Sequence, residues 1–284
     1  MPPMYQGIYV GASGGLVNTY GKITSASRAR YIFEIDPSLS LNTKKRATQN
    51  KGSIGIDIGY SWLCDIFYLG GELGFYYAKG ELHEKGKSSV KAFDSENEQG
   101  YSASLSLKSQ AKLRNFEWTL DFTPGVILCD SFLFYGRIGA ALNRAQLNAA
   151  TKFCYQDFEF SENVHQKTSH LCLNNPKKQG ALRLGFGFSH YITDDLVLNA
   201  NYVYTNYGTV RVSGISHIST IDNGPTSNPR NQRSHSELDA SSSLPNALSS
   251  QPETDEREFL ISETKVNVRR QSLMIGLNYY FDCF

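Results

Sequence analysis

Apolar residues alternate with small or polar residues in many stretches of the chain, and this period of two predicts β-strands with two different faces. The pattern is clearest in 53–63, where each second residue from Ile54 to Trp62 is large and apolar or aromatic, and Gly, Asp and Ser lie between them. No long stretch holds the helical period of 3.6 residues. The predicted strands number eight and lie near 5–17, 53–63, 66–78, 115–128, 131–143, 180–192, 196–206 and 270–282.

The connections between these strands alternate between turns of two or three residues and long polar segments near 18–51, 79–114, 144–179 and 207–269. Loops in compact soluble domains have a median length of about 4 to 6 residues, so a soluble barrel or sandwich gives no reason for this asymmetry. A transmembrane barrel does, because its turns are short at one end and its loops long at the other. The composition of the last segment, rich in Ser, Asn, Pro and acidic residues, predicts disorder.

The chemistry of the two faces indicates which face meets lipid. The interior of an eight-stranded barrel is only just wide enough to be filled by side chains, so it suits Gly, Ser, Asn and paired charges better than large rings. The aliphatic face then forms a lipid-facing band, with aromatic residues near both strand ends. This placement reconciles a mean hydropathy of -0.37 with 17 Tyr and 16 Phe. Every apolar run is too short for a spanning helix, which needs about 20 residues.

Together these features predict an all-β chain with a single domain, 1–284: an eight-stranded antiparallel up-and-down transmembrane β-barrel with three short periplasmic turns and four long extracellular loops. The segment 122–141, FTPGVILCDSFLFYGRIGAA, resembles a hairpin of the small outer-membrane β-barrel superfamily, which includes the OmpA transmembrane domain and the opacity-type surface proteins. The opening GIYVGASGG and the closing MIGLNYYF are similar to that superfamily's first and last strands. The resemblance covers the strands, less than half of the chain.

The resemblance implies a multi-pass protein of the Gram-negative outer membrane with its loops at the cell surface. Its implied partners are outer-membrane lipid and lipopolysaccharide, and the barrel assembly machinery that reads a terminal aromatic residue. A formal net charge of +1 gives no electrostatic reason to expect nucleic acid as a partner.

Charged residues on the inward face predict a cluster in the lumen. A first turn between Cys64 and Asp65 would place Asp57 opposite Glu72, and two facing carboxylates need a shared cation or proton. We interpret the cluster as a charge-paired plug, and a gate or proton path is the alternative. A plugged lumen offers no sugar site between carboxylates. The predicted members are Asp57, Glu72, Glu117, Asp121, Arg137 and Arg183, with Arg270 above them.

Cys154 and Cys172 lie in the third long segment, and on an oxidising cell surface they predict a disulfide. A zinc site that adds His165 and His170 is the alternative, but its spacing matches no standard pattern, so we expect no metal and no cofactor. The other cysteines, at the periplasmic rim, leave a second bridge or free thiols open: Cys64, Cys129 and Cys283.

Two Ser–His pairs raise the possibility of a membrane enzyme such as a lipid A-modifying enzyme. Ser189 and His190 are neighbours on opposite faces of a strand, whereas His217 and Ser219 share a face but lie in a long segment. Neither pair has an evident carboxylate to orient the histidine, as nucleophilic catalysis requires. We therefore expect no catalytic residues and no enzyme activity.

The first long segment contains a basic run, NTKKRATQNK, in which we expect Lys44, Lys45, Arg46 and Lys51 to bind anions. Such a run could hold phosphates of lipopolysaccharide or a sulfated glycan, and a solvated loop is the alternative. Exposed loops are where binding usually resides. The sequence thus favours an adhesin or a host- or cell-surface interaction protein. A structural barrel without a specific ligand and a narrow ion channel are the alternatives.

Overall fold

The computed structural model describes residues 5–30, 39–94, 99–129, 131–158, 166–217, 219–221 and 259–281. The regular elements in these ranges are β-strands. No helix in the described part of the chain is long and apolar enough to cross a membrane. The strands are β1 (Gly7–Arg30), β2 (Leu39–Cys64), β3 (Phe67–Ala78), β4 (Gly80–Asp94), β5 (Gln99–Leu113), β6 (Phe116–Cys129), β7 (Phe132–Phe158), β8 (Gln166–Tyr191), β9 (Leu196–His217), β10 (Ser219–Ile221) and β11 (Phe259–Tyr280).

Eight of these strands close into an antiparallel ring in the order β1, β2, β3, β6, β7, β8, β9, β11 and back to β1. The predicted eight-stranded up-and-down barrel is therefore confirmed. The strands β4 and β5 form a hairpin that is inserted between β3 and β6, and β5 pairs with the far half of β7. The short β10 pairs with β8.

The lower half of the barrel has an apolar outer surface. On β2 the outward residues Ile54, Ile56 and Ile58 are 65%, 60% and 50% exposed, while the residues between them are buried. Tyrosine rings fill much of the lumen, and glycine lies where a ring packs against the inner face of the wall. A Cβ on Gly59 would lie 2.3 Å from the Tyr9 ring, so only glycine fits there. These features agree with the predicted lipid-facing band around a narrow lumen.

Six of the eight ring strands continue by 11 to 15 residues beyond the ends that the sequence pattern predicted. The segment 18–51, for example, was predicted to be a loop, but β1 runs on to Arg30 and β2 begins at Leu39. The prediction was wrong because the outward residues change from apolar to polar above the band, which ends the pattern on which it rested. We call this upper part of the barrel the extension: 17–30, 39–52, 80–94, 99–113, 143–158, 166–181, 205–217 and 259–272.

In the extension the outer face is polar and the inner face apolar, the reverse of the lower barrel. On β1 the outward Lys22 and Arg28 are exposed, whereas the inward Ile23 and Ala29 are fully buried. The inward side chains form an apolar core that includes the β4–β5 hairpin. The extension is therefore packed like a water-soluble barrel, and over about 14 residues per strand it rises roughly 30 Å above the band.

In the described residues the extension has two seams, where adjacent strands have no ladder between them: the upper parts of β8 and β9 form one, and β2 and β4 form the other. The segment 39–52 of β2 pairs with β1 on one side, and β4 pairs with β5 on one side. In the described residues neither edge has a strand partner on its other side. The Gln49 side chain bridges the seam between β2 and β4, because the Glu81 amide donates to Gln49 Oε1 at 2.6 Å.

The first turn differs from the predicted one by two positions in the pairing. Cys64 pairs with Phe67, so Asp65 and Ile66 form the turn, and Asp65 has a positive φ of 59°. In consequence Asp57 faces Gly74 and not Glu72, which instead faces Gly59. The predicted position of Asp57 opposite Glu72 is therefore wrong.

Candidate functional site

Arg137 is the centre of the lumen charges. Its guanidinium donates to both Glu72 carboxylate oxygens, at 2.7 Å and 2.9 Å, and to Asp121 Oδ2 at 3.1 Å. The three residues are almost fully buried. Tyr9 also donates to Glu72, at 3.2 Å. A bidentate guanidinium–carboxylate pair of this kind has a fixed geometry.

A second group of ion pairs lies directly above the first. Arg183 Nη1 lies 3.2 Å from Glu117 Oε1, and its Nε lies 3.2 Å from Asp121 Oδ1. Arg270 Nη1 donates to Glu117 Oε2 at 2.8 Å, and the Tyr207 hydroxyl donates to the same oxygen. Asp121 therefore links the two groups into one network, and Arg270 belongs to it.

The predicted cluster is thus assembled, with one difference. The ion pairs join Glu72, Glu117 and Asp121 to the arginines, whereas Asp57 lies beside them as a buried wall residue of the remaining cavity. That cavity has a volume of about 30 Å³, room for roughly one or two water molecules. The geometry fits a plug that closes the lumen to solutes.

The basic run lies on a strand and not in a loop. Lys44, Lys45, Arg46 and Lys51 are all exposed on β2, within the extension. Lys44 and Arg46 have the outward parity of Ile54, whereas Lys45 and Lys51 have the opposite parity. The ladder between β1 and β2 places Lys22 directly opposite Arg46, a neighbour that the sequence analysis missed.

The predicted disulfide between Cys154 and Cys172 is wrong, since both residues are free thiols. Cys154 faces Thr168 across the β7–β8 ladder, and Cys172 faces Ala150. The two cysteines are therefore displaced by four residues along the strands, roughly 13 Å, and a disulfide needs Cα atoms within about 7 Å. Cys64 is a free exposed thiol as well.

The same displacement argues against the alternative zinc site. Cys172 Sγ lies 3.5 Å from His170 Nδ1, but His165 lies outside the described residues. In the described part of the chain no group of three or more His, Cys, Asp or Glu side chains could hold a metal ion. Ser189 is buried in the lumen wall and His190 is exposed outside, so this pair does not meet.

The sequence model of a family described as "Outer membrane protein beta-barrel domain" matches residues 6–228, well over half of the chain. No curated protein matches the chain in sequence.

Several solved structures are similar at low identity. The attachment invasion locus protein Ail of Yersinia pestis is 10% identical, with 96% of this chain and 99% of that chain covered and a TM-score of 0.28. OprG of Pseudomonas aeruginosa is 13% identical, with 98% of each chain covered and a TM-score of 0.35. The outer membrane protease OmpT of Escherichia coli is 10% identical, with 97% of each covered and a TM-score of 0.37.

Proposed function

The chain belongs to the outer-membrane β-barrel family, and from this membership we propose that it is an adhesin, a binding protein of the bacterial surface that contacts host or neighbouring cells through its extracellular end. The chain resides in the bacterial outer membrane. Its proposed ligand is a surface protein or an anionic glycan, and its proposed role is binding and not catalysis.

The extension is the observation that supports this proposal. Its apolar core includes fully buried side chains such as Leu105, Leu147 and Phe153, which hold the strands together without help from lipid. A barrel that only spans a membrane needs no such second core. The extension therefore forms a base whose upper strand ends, such as Arg30 and Phe158, lie well away from the lipid-facing band.

Binding by whole bacteria tests the proposal. Cells that express the intact chain are compared with cells in which 31–38, 159–165 and 222–258 are each replaced by a short Gly-Ser linker. We expect the intact chain to increase attachment to host cells or to bacteria of the same strain, and the shortened chains to lose that attachment. Heat-dependent gel migration controls for a folded barrel. Equal attachment by the intact chain and the triple replacement would contradict the proposal.

A structural barrel without a ligand is the second candidate function, and the same experiment addresses it. The ion pairs around Arg137 and Glu117 fill the lumen down to a cavity of about 30 Å³, which supports a barrel that does not transport a solute. If the intact chain causes no attachment, but its deletion weakens the outer membrane to detergent, the structural role replaces the adhesive one.

A further inference from the structure

Four of the basic side chains on the outer surface of β1, β2 and β11 lie in the lower part of the extension. We call them the basic wall: Lys22, Lys44, Arg46 and Arg269. The ladders place Lys22 opposite Arg46, Thr24 opposite Lys44, and Tyr20 opposite Arg269. Residues that face each other across an antiparallel ladder point to the same side, so all four cations lie on one surface. Lys22 and Arg269 are distant in sequence and meet because the barrel closes between β1 and β11.

The basic wall begins just above the lipid-facing band. Leu16 faces Leu273 at the top of that band, and they are 68% and 55% exposed. Arg269 is four residues higher along its strand, and the pair of Thr24 and Lys44 is eight residues above Leu16. These offsets correspond to roughly 10 Å and 20 Å of height. Side chains at this height meet the sugars and phosphates of the outer leaflet before they meet free water, and long cationic side chains can reach down to them.

No acidic side chain of these strands neutralises the basic wall. β1 contains no Asp or Glu, and Asp57, the one acidic residue of β2, lies in the lumen. On β11 the one acidic residue, Glu263, is paired with Lys265 at 2.9 Å. The hydrogen bond and the charge of Lys44, together with the charge of Arg46, hold the pKa of the Lys22 amine below its ordinary value. A bound anion would relieve this repulsion.

The surface beside these cations is concave and carries neutral polar groups. An open depression of about 830 Å³ is lined by side chains that include Tyr20, Lys22, Arg46, Thr48, Asn267 and Arg269. Guanidinium groups bind phosphate oxygens in a bidentate manner. Amide and hydroxyl side chains exchange hydrogen bonds with sugar hydroxyls. Cations, amides and an aromatic ring in one depression fit a phosphorylated sugar better than a simple ion.

We propose that the basic wall binds the phosphorylated sugars of lipopolysaccharide in the same outer leaflet that surrounds the barrel. This site goes beyond the proposed adhesion, because its ligand belongs to the cell's own membrane and reaches the protein from the side. Lys44 and Arg46 of the basic run take part in it, whereas Lys45 and Lys51 do not. Bound lipopolysaccharide would brace β1, β2 and β11 where the strands leave the lipid.

Binding to the full chain in lipid nanodiscs tests the proposal, with lipopolysaccharide and its dephosphorylated form as probes. The test variant is Lys22→Gln, Lys44→Gln, Arg46→Gln and Arg269→Gln together. The matched control removes four other exposed positive charges of the extension, by Lys108→Gln, Lys152→Gln, Lys177→Gln and Lys178→Gln. We expect the test variant to bind lipopolysaccharide about tenfold more weakly than the intact chain, and the control to bind within about twofold.

The dephosphorylated probe separates phosphate recognition from contact with the acyl chains. We expect the intact chain to bind it as weakly as the test variant binds the phosphorylated form. Equal losses in the test variant and the control would overturn the proposal, since net charge alone would explain them. Heparin, a sulfated glycan, is the third probe. Loss of heparin binding with unchanged lipopolysaccharide binding in the test variant would also overturn the proposal, in favour of a glycan on another surface. If the fourfold variant does not fold, Arg46→Gln and Arg269→Gln alone should each weaken binding about threefold.

Discussion

Arg137 offsets part of the free-energy cost of burying carboxylates in the lumen. Burial of an ion is costly unless partners and hydrogen bonds compensate it, and Arg137 contacts two carboxylates with three of its hydrogen bonds. Asp121 in turn contacts Arg183, so the charges form a network and not separate pairs. Removal of Arg137 leaves Glu72 buried without a cationic partner, whereas Asp121 keeps Arg183.

We expect Arg137→Met to destabilise the barrel by about 3–5 kcal/mol, because Glu72 would lose its buried cationic partner and Asp121 one of its two. The folded fraction in lipid vesicles, followed by gel migration as a function of urea, measures this change. Arg28→Met is the matched control, since Arg28 is exposed in the extension. A similar loss in both variants would show that the lumen pairing contributes little.

The cysteines make a second prediction at this scale. We expect Cys172, which is exposed and free, to react on intact cells with a membrane-impermeant maleimide without prior reduction. Cys172→Ser should remove most of the labelling, and migration on gels should be the same with and without reductant. Labelling that requires a reductant would show that Cys154 and Cys172 are bridged.

At the scale of the element, β1 is a single strand whose lower part is surrounded by lipid and whose upper part is surrounded by water. Its even-numbered residues point outward throughout, and they change from Ile8 and Val10 in the band to Lys22 and Arg28 in the extension. Its odd-numbered residues point inward and change in the opposite sense, up to the fully buried Ile23. The parity of the strand is constant, and only the medium outside it changes.

The β4–β5 hairpin should depend on its inward leucines. We expect Leu105→Ala to cost about 2–5 kcal/mol, because Leu105 is fully buried in the core of the extension. Limited proteolysis of the folded protein in detergent should then cleave the hairpin faster, while the lower barrel stays intact. Lys108→Ala, an exposed change on the same strand, is the control. Equal cleavage of both variants would indicate that the hairpin does not rely on this core.

The lower strands could be predicted from the sequence because large outward residues such as Ile, Phe and Trp alternate there with small inward residues such as Gly and Ser. The extension was missed because hydroxyl and small residues such as Ser25 and Ser27 face inward there, and the contrast is weak. A signal was available in β5, where Ala103, Leu105 and Leu107 alternate with serines. The lumen charges were predictable from parity alone. The basic wall was not predictable from the sequence, because Lys22 and Arg269 become neighbours only when β1 pairs with β11 and closes the barrel.

At the scale of the whole molecule, the barrel consists of two sections with opposite polarity on one continuous wall. The lower section has an apolar exterior and ion pairs inside, whereas the extension has a polar exterior and an apolar core. Each section is closed by its own packing, the first by the arginine network and the second by residues such as Leu82 and Val266. Among the described residues, neither section leaves a continuous path for a solute.

We therefore expect no steady conductance when the intact chain is inserted into a planar bilayer. The lumen cavity of about 30 Å³ is too small for a hydrated ion to pass. Single-channel recording over a range of voltages measures this, with a wide porin as the positive control. Uniform, reproducible conductance steps would contradict the plug and favour the channel alternative.

The seam between β2 and β4 has a consequence for motion. Successive amides of a strand point to opposite sides, so in 39–52 each second amide faces β1 and the others face the seam. From residue 53 onward β3 supplies a partner on the second side. We expect amide hydrogen exchange to alternate between slow and fast along 39–52 and to become uniformly slow in 53–64. The exchange rates along β2 would thus show which part of the barrel wall can open.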